Sequence, residues 1–126
     1  MQRRFAGLFC AALYLSGCGG DSADQGVACT LELRPGIAIE VLDAAGAAAS
    51  CGAQAVITAS GYSETARNPS VPCDDTLRLS GAFERAGTYN VTVSKPGFQP
   101  VVFSNVVVTA DVCHVVTVNL TAQLKP

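Results

Sequence analysis

The stretch Gly87-Thr-Tyr-Asn-Val-Thr-Val-Ser-Lys-Pro-Gly-Phe98 decides the fold. Tyr89, Val91 and Val93 alternate with Thr88, Asn90, Thr92 and Ser94. A period of two puts the apolar set on one face of an extended chain and the polar set on the other, which is the mark of a half-buried β-strand. Lys95-Pro96-Gly97-Phe98 ends it as a type II turn, because proline fixes φ and glycine supplies the positive φ that the third position needs.

The same grammar runs outward in both directions. Ile37, Ile39 and Val41 alternate with Ala38, Glu40 and Leu42, so a strand is expected over 37–43, closed by Asp43-Ala-Ala-Gly46. Ala55 to Ser60 reads as the next strand. Gly61 to Asp75 reads as a long polar loop, with Asn68-Pro69 and Val71-Pro72 blocking regular structure. Leu77 and Leu79 then alternate with Arg78 and Ser80, and Phe83 is expected to point back inward. Beyond the Pro-Gly turn, Val101–Phe103 and Val106–Thr109 read as two strands. Asp111 marks the turn into a last strand, on which His114, Val116, Val118 and Leu120 share one face. About seven short strands at close spacing, with no helical periodicity, predict an all-β, antiparallel, seven-stranded β-sandwich over residues 28–126.

The N-terminus follows a different pattern. Arg3 and Arg4 precede an apolar run from Phe5 to Leu15, and the small residues Ser16 and Gly17 come before Cys18. The run is too short for the ~20 apolar residues of a membrane span and has the order of a secretory signal, expected as a helix. Leu15-Ser16-Gly17-Cys18 resembles the lipobox of bacterial lipoproteins. That resemblance implies a signal peptide over residues 1–17, cleavage after Gly17, and a diacylglyceryl thioether on Cys18 with further acylation, such as palmitate, on its freed amine. Two or more chains give stable anchoring, since each buried CH₂ contributes about 0.8 kcal/mol. Residues 18–27, rich in glycine and polar groups, then form a flexible tether. Gly19, where the inner-membrane retention signal would have aspartate, directs the expectation to the outer membrane of a bacterial envelope rather than the inner.

Charge and cysteine count narrow the partners. The chain has 126 residues, 8 Lys+Arg against 10 Asp+Glu, and a net charge of −2. A mildly acidic domain is a poor candidate for nucleic acid, and without a polybasic stretch the lipid is the expected membrane contact. Of six cysteines, Cys10 falls in the signal and Cys18 takes lipid. The remaining four, Cys29, Cys51, Cys73 and Cys113, have no C-x-x-C spacing, so two disulfides are expected in place of a metal site. Three connectivities are open. The favoured pair is Cys29–Cys113, which would clamp the domain's start to its last strand, with Cys51–Cys73, which would staple the long polar loop.

The block from Gly81 to Phe98, with its Ala-Gly-Thr-Tyr opening and Pro-Gly-Phe turn, resembles the carboxypeptidase regulatory-like domain. Ile39 to Gly46 is similar to that family's first strand and turn, and Val106–Thr109 and Val116–Leu120 to its last two. The resemblance covers residues 37–121 and implies a transthyretin-like Greek-key sandwich. The chain ends Leu120-Thr-Ala-Gln-Leu-Lys-Pro126. It has neither the Tyr-Arg-Gly-Ser terminus nor the catalytic histidines of the related hydroxyisourate hydrolases.

Candidate chemistry is sparse. His114 is the single histidine of the chain and has no partner that the sequence identifies. A lone histidine at a strand end more often packs or caps than titrates usefully or binds a ligand. Asp74-Asp75 lacks the spacing of a calcium loop. Tyr62 and Phe98 are the aromatics expected on loops and the first candidates for binding. The expectation is therefore a non-enzymatic envelope lipoprotein without metal or cofactor, whose sandwich serves as a structural or protein-interaction module for an envelope partner. The alternative is a cell-surface glycan- or peptide-binding module, which requires a concave aromatic or polar site near Gly61–Asp75.

Overall fold

The computed structural model describes residues 26–126. The expected signal helix, the Leu15-Ser16-Gly17-Cys18 motif and most of the tether lie outside the described residues. Within them are seven strands and no helix: β1 (Ile37–Leu42), β2 (Gln54–Ala59), β3 (Tyr62–Arg67), β4 (Leu79–Gly81), β5 (Gly87–Ser94), β6 (Val101–Val108) and β7 (Val118–Gln123). They form two sheets, one of order β4-β1-β7 and one of order β3-β2-β5-β6.

The core lies between the sheets, and strand parity fills it. Tyr89, Val91 and Val93 of β5 are buried, as are Ile37, Ile39 and Val41 of β1 and Ala55 and Ile57 of β2. Leu79 and Ala122 of the smaller sheet, with Leu124 just past the end of β7, complete the interior. The turn after β5 has the expected form: the Phe98 N–H donates to the Lys95 carbonyl at 3.1 Å, with Gly97 at φ 85°. The turn after β1 is held by Asp43, whose carboxylate accepts the N–H groups of Ala45 and Ala47, both at 2.9 Å.

Several expectations are corrected. The sandwich is not antiparallel throughout: β1 and β7 run parallel, in register from Ile37↔Val118 to Leu42↔Gln123. The count of seven strands matches, but two of its members differ. Tyr62–Arg67 is a strand, paired with β2 across the short Ser60-Gly61 turn, so the polar loop starts only after it. It looked like a loop because an edge strand needs few apolar residues; Ala66 is its single buried side chain. Conversely, Val101–Phe103 and Val106–Thr109 belong to one strand interrupted by a bulge. Tyr89 pairs with Val106 and Val91 with Phe103, so two steps along β5 face three along β6, and Asn105 takes φ 54°. The extra residue reverses the parity.

Phe83 does not turn inward but is 42% exposed. The chain reverses through Ala82 at φ 51° and Glu84 at φ 49°, which sends the Ala82 methyl into the core instead. The last strand begins at Val118, so Val116 is exposed and precedes it. The Asp111 carboxylate accepts the N–H groups of Cys113 and His114 at 2.8 and 2.9 Å, and the turn it makes consumes the residues that periodicity assigned to the strand.

Among the described residues two disulfides are present, Cys29–Cys113 and Cys51–Cys73. The first fastens the exposed segment before β1 to the turn before β7. The second fastens the turn before β2 to the loop between β3 and β4.

Candidate functional site

The one polar cluster that combines burial, an imidazole and an accessible hydroxyl lies where the segment before β1 crosses the turn before β7. Pro35 and Gly36 set this crossing. The Gly36 N–H donates to the Ala82 carbonyl at 3.0 Å, and the Val118 N–H donates to the Gly36 carbonyl at 2.8 Å. The Thr117 hydroxyl donates to the Pro35 carbonyl at 2.7 Å. A Cβ on Gly36 would stand 2.6 Å from the Ala82 oxygen, so only glycine permits the approach. These links bring three distant parts of the chain together: residues 29–34, the turn Ala82–Arg85 and the turn Asp111–Val115.

His114 lies at their junction, 8% exposed. Its Nδ1 is 2.7 Å from Glu84 Oε1, and its Nε2 is 3.0 Å from Thr30 Oγ1. Glu84 also accepts the Arg34 N–H at 2.8 Å and the Val115 N–H at 3.2 Å. The Arg34 N–H bond first, and the His114 and Val115 bonds after it, hold the Glu84 carboxyl below its usual range. Asp111 is likewise held low, chiefly by the backbone N–H of His114 and then by that of Cys113.

Those facts assign the tautomer. An ionised carboxylate only accepts, so Nδ1 carries the proton shared with Glu84. In the neutral ring Nε2 is then bare, and Thr30 Oγ1–H must donate to it. Thr30 is exposed and opens onto a depression of about 380 Å³ whose walls include Arg34, Asp111 and the Cys29–Cys113 disulfide. The arrangement can polarise the Thr30 hydroxyl and accept its proton.

The aromatics singled out in the sequence lie elsewhere. Tyr62 opens β3 and meets Tyr89 edge to face, with ring centroids 6.0 Å apart, under the Arg85 guanidinium at 4.0 Å. Phe98 sits on the turn after β5, half-buried against the core, with Lys95 Nζ 5.9 Å from its ring centre. Both act in packing. Beside the polar loop is a cavity of about 230 Å³ lined by Gln54, Arg67, Asn68 and Ser70 among others, with no aromatic wall. Asp74 and Asp75 cap backbone: Asp74 accepts from Thr76 at 2.9 Å and Asp75 from the Cys51 N–H at 2.8 Å. Among the described residues no group of three His, Cys, Asp or Glu side chains is placed to hold a metal ion.

Thr30 and Glu84 escaped the sequence reading because they stand 84 and 30 residues from His114. One signal did point to Thr30. A Cys29–Cys113 bond puts the residue after Cys29 beside the residue after Cys113. Compared with known protein families and curated proteins, the chain matches no family model and no curated sequence.

Proposed function

We propose that this chain is a bacterial envelope lipoprotein, with residues 1–17 as signal peptide, Cys18 as the lipidated first residue and a tether to residue 27. Its sandwich, read as a carboxypeptidase regulatory-like domain of transthyretin-like Greek-key form, is a non-enzymatic structural or protein-interaction module that presents itself to an envelope partner at the outer membrane.

The observation that carries this reading is the Cys29–Cys113 disulfide. It lies 11 residues (29 − 18) beyond the proposed anchor. A pull on the tether enters the domain at Cys29 and passes covalently to the turn before β7. It does not peel β1 from the sheet. Two disulfides in so small a domain also suit an oxidising compartment. The glycan- or peptide-binding alternative asks for a concave aromatic or polar site beside the loop; the cavity of about 230 Å³ there offers the polar side chains of Gln54, Arg67, Asn68 and Ser70 to such a ligand, without an aromatic wall.

Membrane fractionation and intact mass of the expressed protein test the proposal, with Cys18→Ser as control. The parent should sediment with membranes and carry acyl mass beginning at Cys18. The substituted chain should lose both. A Cys18→Ser protein that still sediments, or a parent without acyl mass, overturns it.

A further inference from the structure

We infer that Thr30 is an activated hydroxyl, an acyl-accepting site that takes the carboxylic acyl group of an ester with a good leaving group. The inference goes beyond the anchoring module and does not depend on it, and a single acceptance per molecule needs no turnover.

The geometry has the three parts that activation of a hydroxyl requires. A general base must be within hydrogen-bond reach of the nucleophile, and a third group must orient the base. His114 Nε2 stands 3.0 Å from Thr30 Oγ1, and Glu84 Oε1 stands 2.7 Å from Nδ1. Glu84 is itself held by the Arg34 and Val115 N–H groups, which orients its carboxylate toward Nδ1 of the imidazole. The ring is nearly excluded from water whereas Thr30 is exposed, so a donor meets the hydroxyl from the depression and the base lies behind it. The charged groups about the ring are Glu84, Asp111 and Arg34, the last ion-paired with Glu32.

The step balances. Thr30 Oγ1 attacks the ester carbonyl carbon, a new C–O bond forms, and the Oγ1 proton passes to His114 Nε2. The ester's own C–O bond then breaks, and His114 returns the proton to the departing oxygen. The products are O-acyl-Thr30 and an alcohol or phenol. No oxidant or reductant enters.

The test uses the purified full chain, oxidised, with p-nitrophenyl acetate as the probe. Intact mass should show one added acetyl, and peptide mapping should put it on Thr30. Thr65 and Thr88, exposed on the strands without an imidazole partner, are internal controls and should stay unmodified. Thr30→Val should abolish the adduct and Thr30→Ser should keep it. His114→Gln should slow acetylation by roughly a hundredfold, the usual contribution of a positioned base. Should that variant fold poorly, selectivity within the unsubstituted chain decides: Thr30 should be acetylated well ahead of Thr65 and Thr88. An adduct confined to lysines, or equal modification of Thr30 and Thr65, overturns the inference.

Discussion

Tyr89 lies at the centre of the strand that decides the fold, and its hydroxyl gives a sharp measure of how the interior is held. The side chain is 1% exposed and the largest of those fully buried. Its O–H donates to the Arg85 carbonyl at 2.7 Å and accepts from Arg85 Nη1 at 3.0 Å. Tyr89→Phe keeps the ring and its edge-to-face contact with Tyr62 but deletes both bonds. A neutral hydrogen bond contributes about 1 kcal/mol net and one from a charged donor somewhat more, so the expected loss is about 2–3 kcal/mol. Tyr89→Ala removes the ring as well and should cost about 3–5 kcal/mol. Urea unfolding under oxidising conditions measures both, with an unchanged denaturant slope for Tyr89→Phe. Arg85→Ala removes the charged donor and leaves the backbone carbonyl, so in that background the Tyr89→Phe penalty should fall to the roughly 1 kcal/mol of the neutral bond. A Tyr89→Phe protein within about 0.3 kcal/mol of its parent would refute the reasoning, because the deleted bonds would then have had no net worth.

Three further outcomes follow from particular contacts. Gly36→Ala drives a methyl to 2.6 Å from the Ala82 oxygen and 2.9 Å from Val108 Cγ1, and a loss of about 1–3 kcal/mol by thermal or urea unfolding is expected. Glu84 and Asp111 both have folded-state pKa values below their ordinary 4.5 and 3.8. Depressed carboxylates give stability that is present above the unfolded value and lost as pH falls through the folded one, so stability should decline below about pH 4.5. Glu84→Gln and Asp111→Asn should each flatten that acid limb in pH-dependent melting. Tyr62 is pushed up to about 12, first by burial and then by the Glu64 carboxylate. The unfolded phenol ionises near 10, so between pH 10 and 12 the folded state binds the extra proton and stability falls as pH rises. Tyr62→Phe should remove a late-ionising component from the ultraviolet titration.

Local pattern made most of the architecture legible. The parity of Tyr89, Val91 and Val93, the Pro96-Gly97 turn and the Ile37–Val41 alternation each rest on neighbours two or three residues apart, and each stands in the structure. What stayed hidden is non-local. The parallel pairing of β1 with β7 joins the two ends of the domain, and no short-range signal distinguishes it from an antiparallel edge. The Asn105 bulge is a local event with a misleading signature, since a parity reversal inside one strand looks like two strands. β3 hid for the opposite reason: Ser63, Thr65 and Arg67 are exposed, and little apolar content remained to mark it.

The polar site was harder to read, because its parts are held by links that leave no periodicity. Residues 29–34 bury almost no side chain, so hydrophobic packing cannot position them. Their place is set by the Cys29–Cys113 bond, the Thr30 hydroxyl on His114, the Arg34 N–H on Glu84 and the backbone bonds at Gly36. Each hydrogen bond alone contributes about 1 kcal/mol, comparable to the cost of ordering one residue. None of them would hold an exposed segment in place unaided. The covalent link removes much of that entropy in advance, since Cys29 and Cys113 each adjoin a member of the Thr30–His114 pair. The disulfide thus supports the fold and also keeps a surface hydroxyl at bonding distance from a buried imidazole.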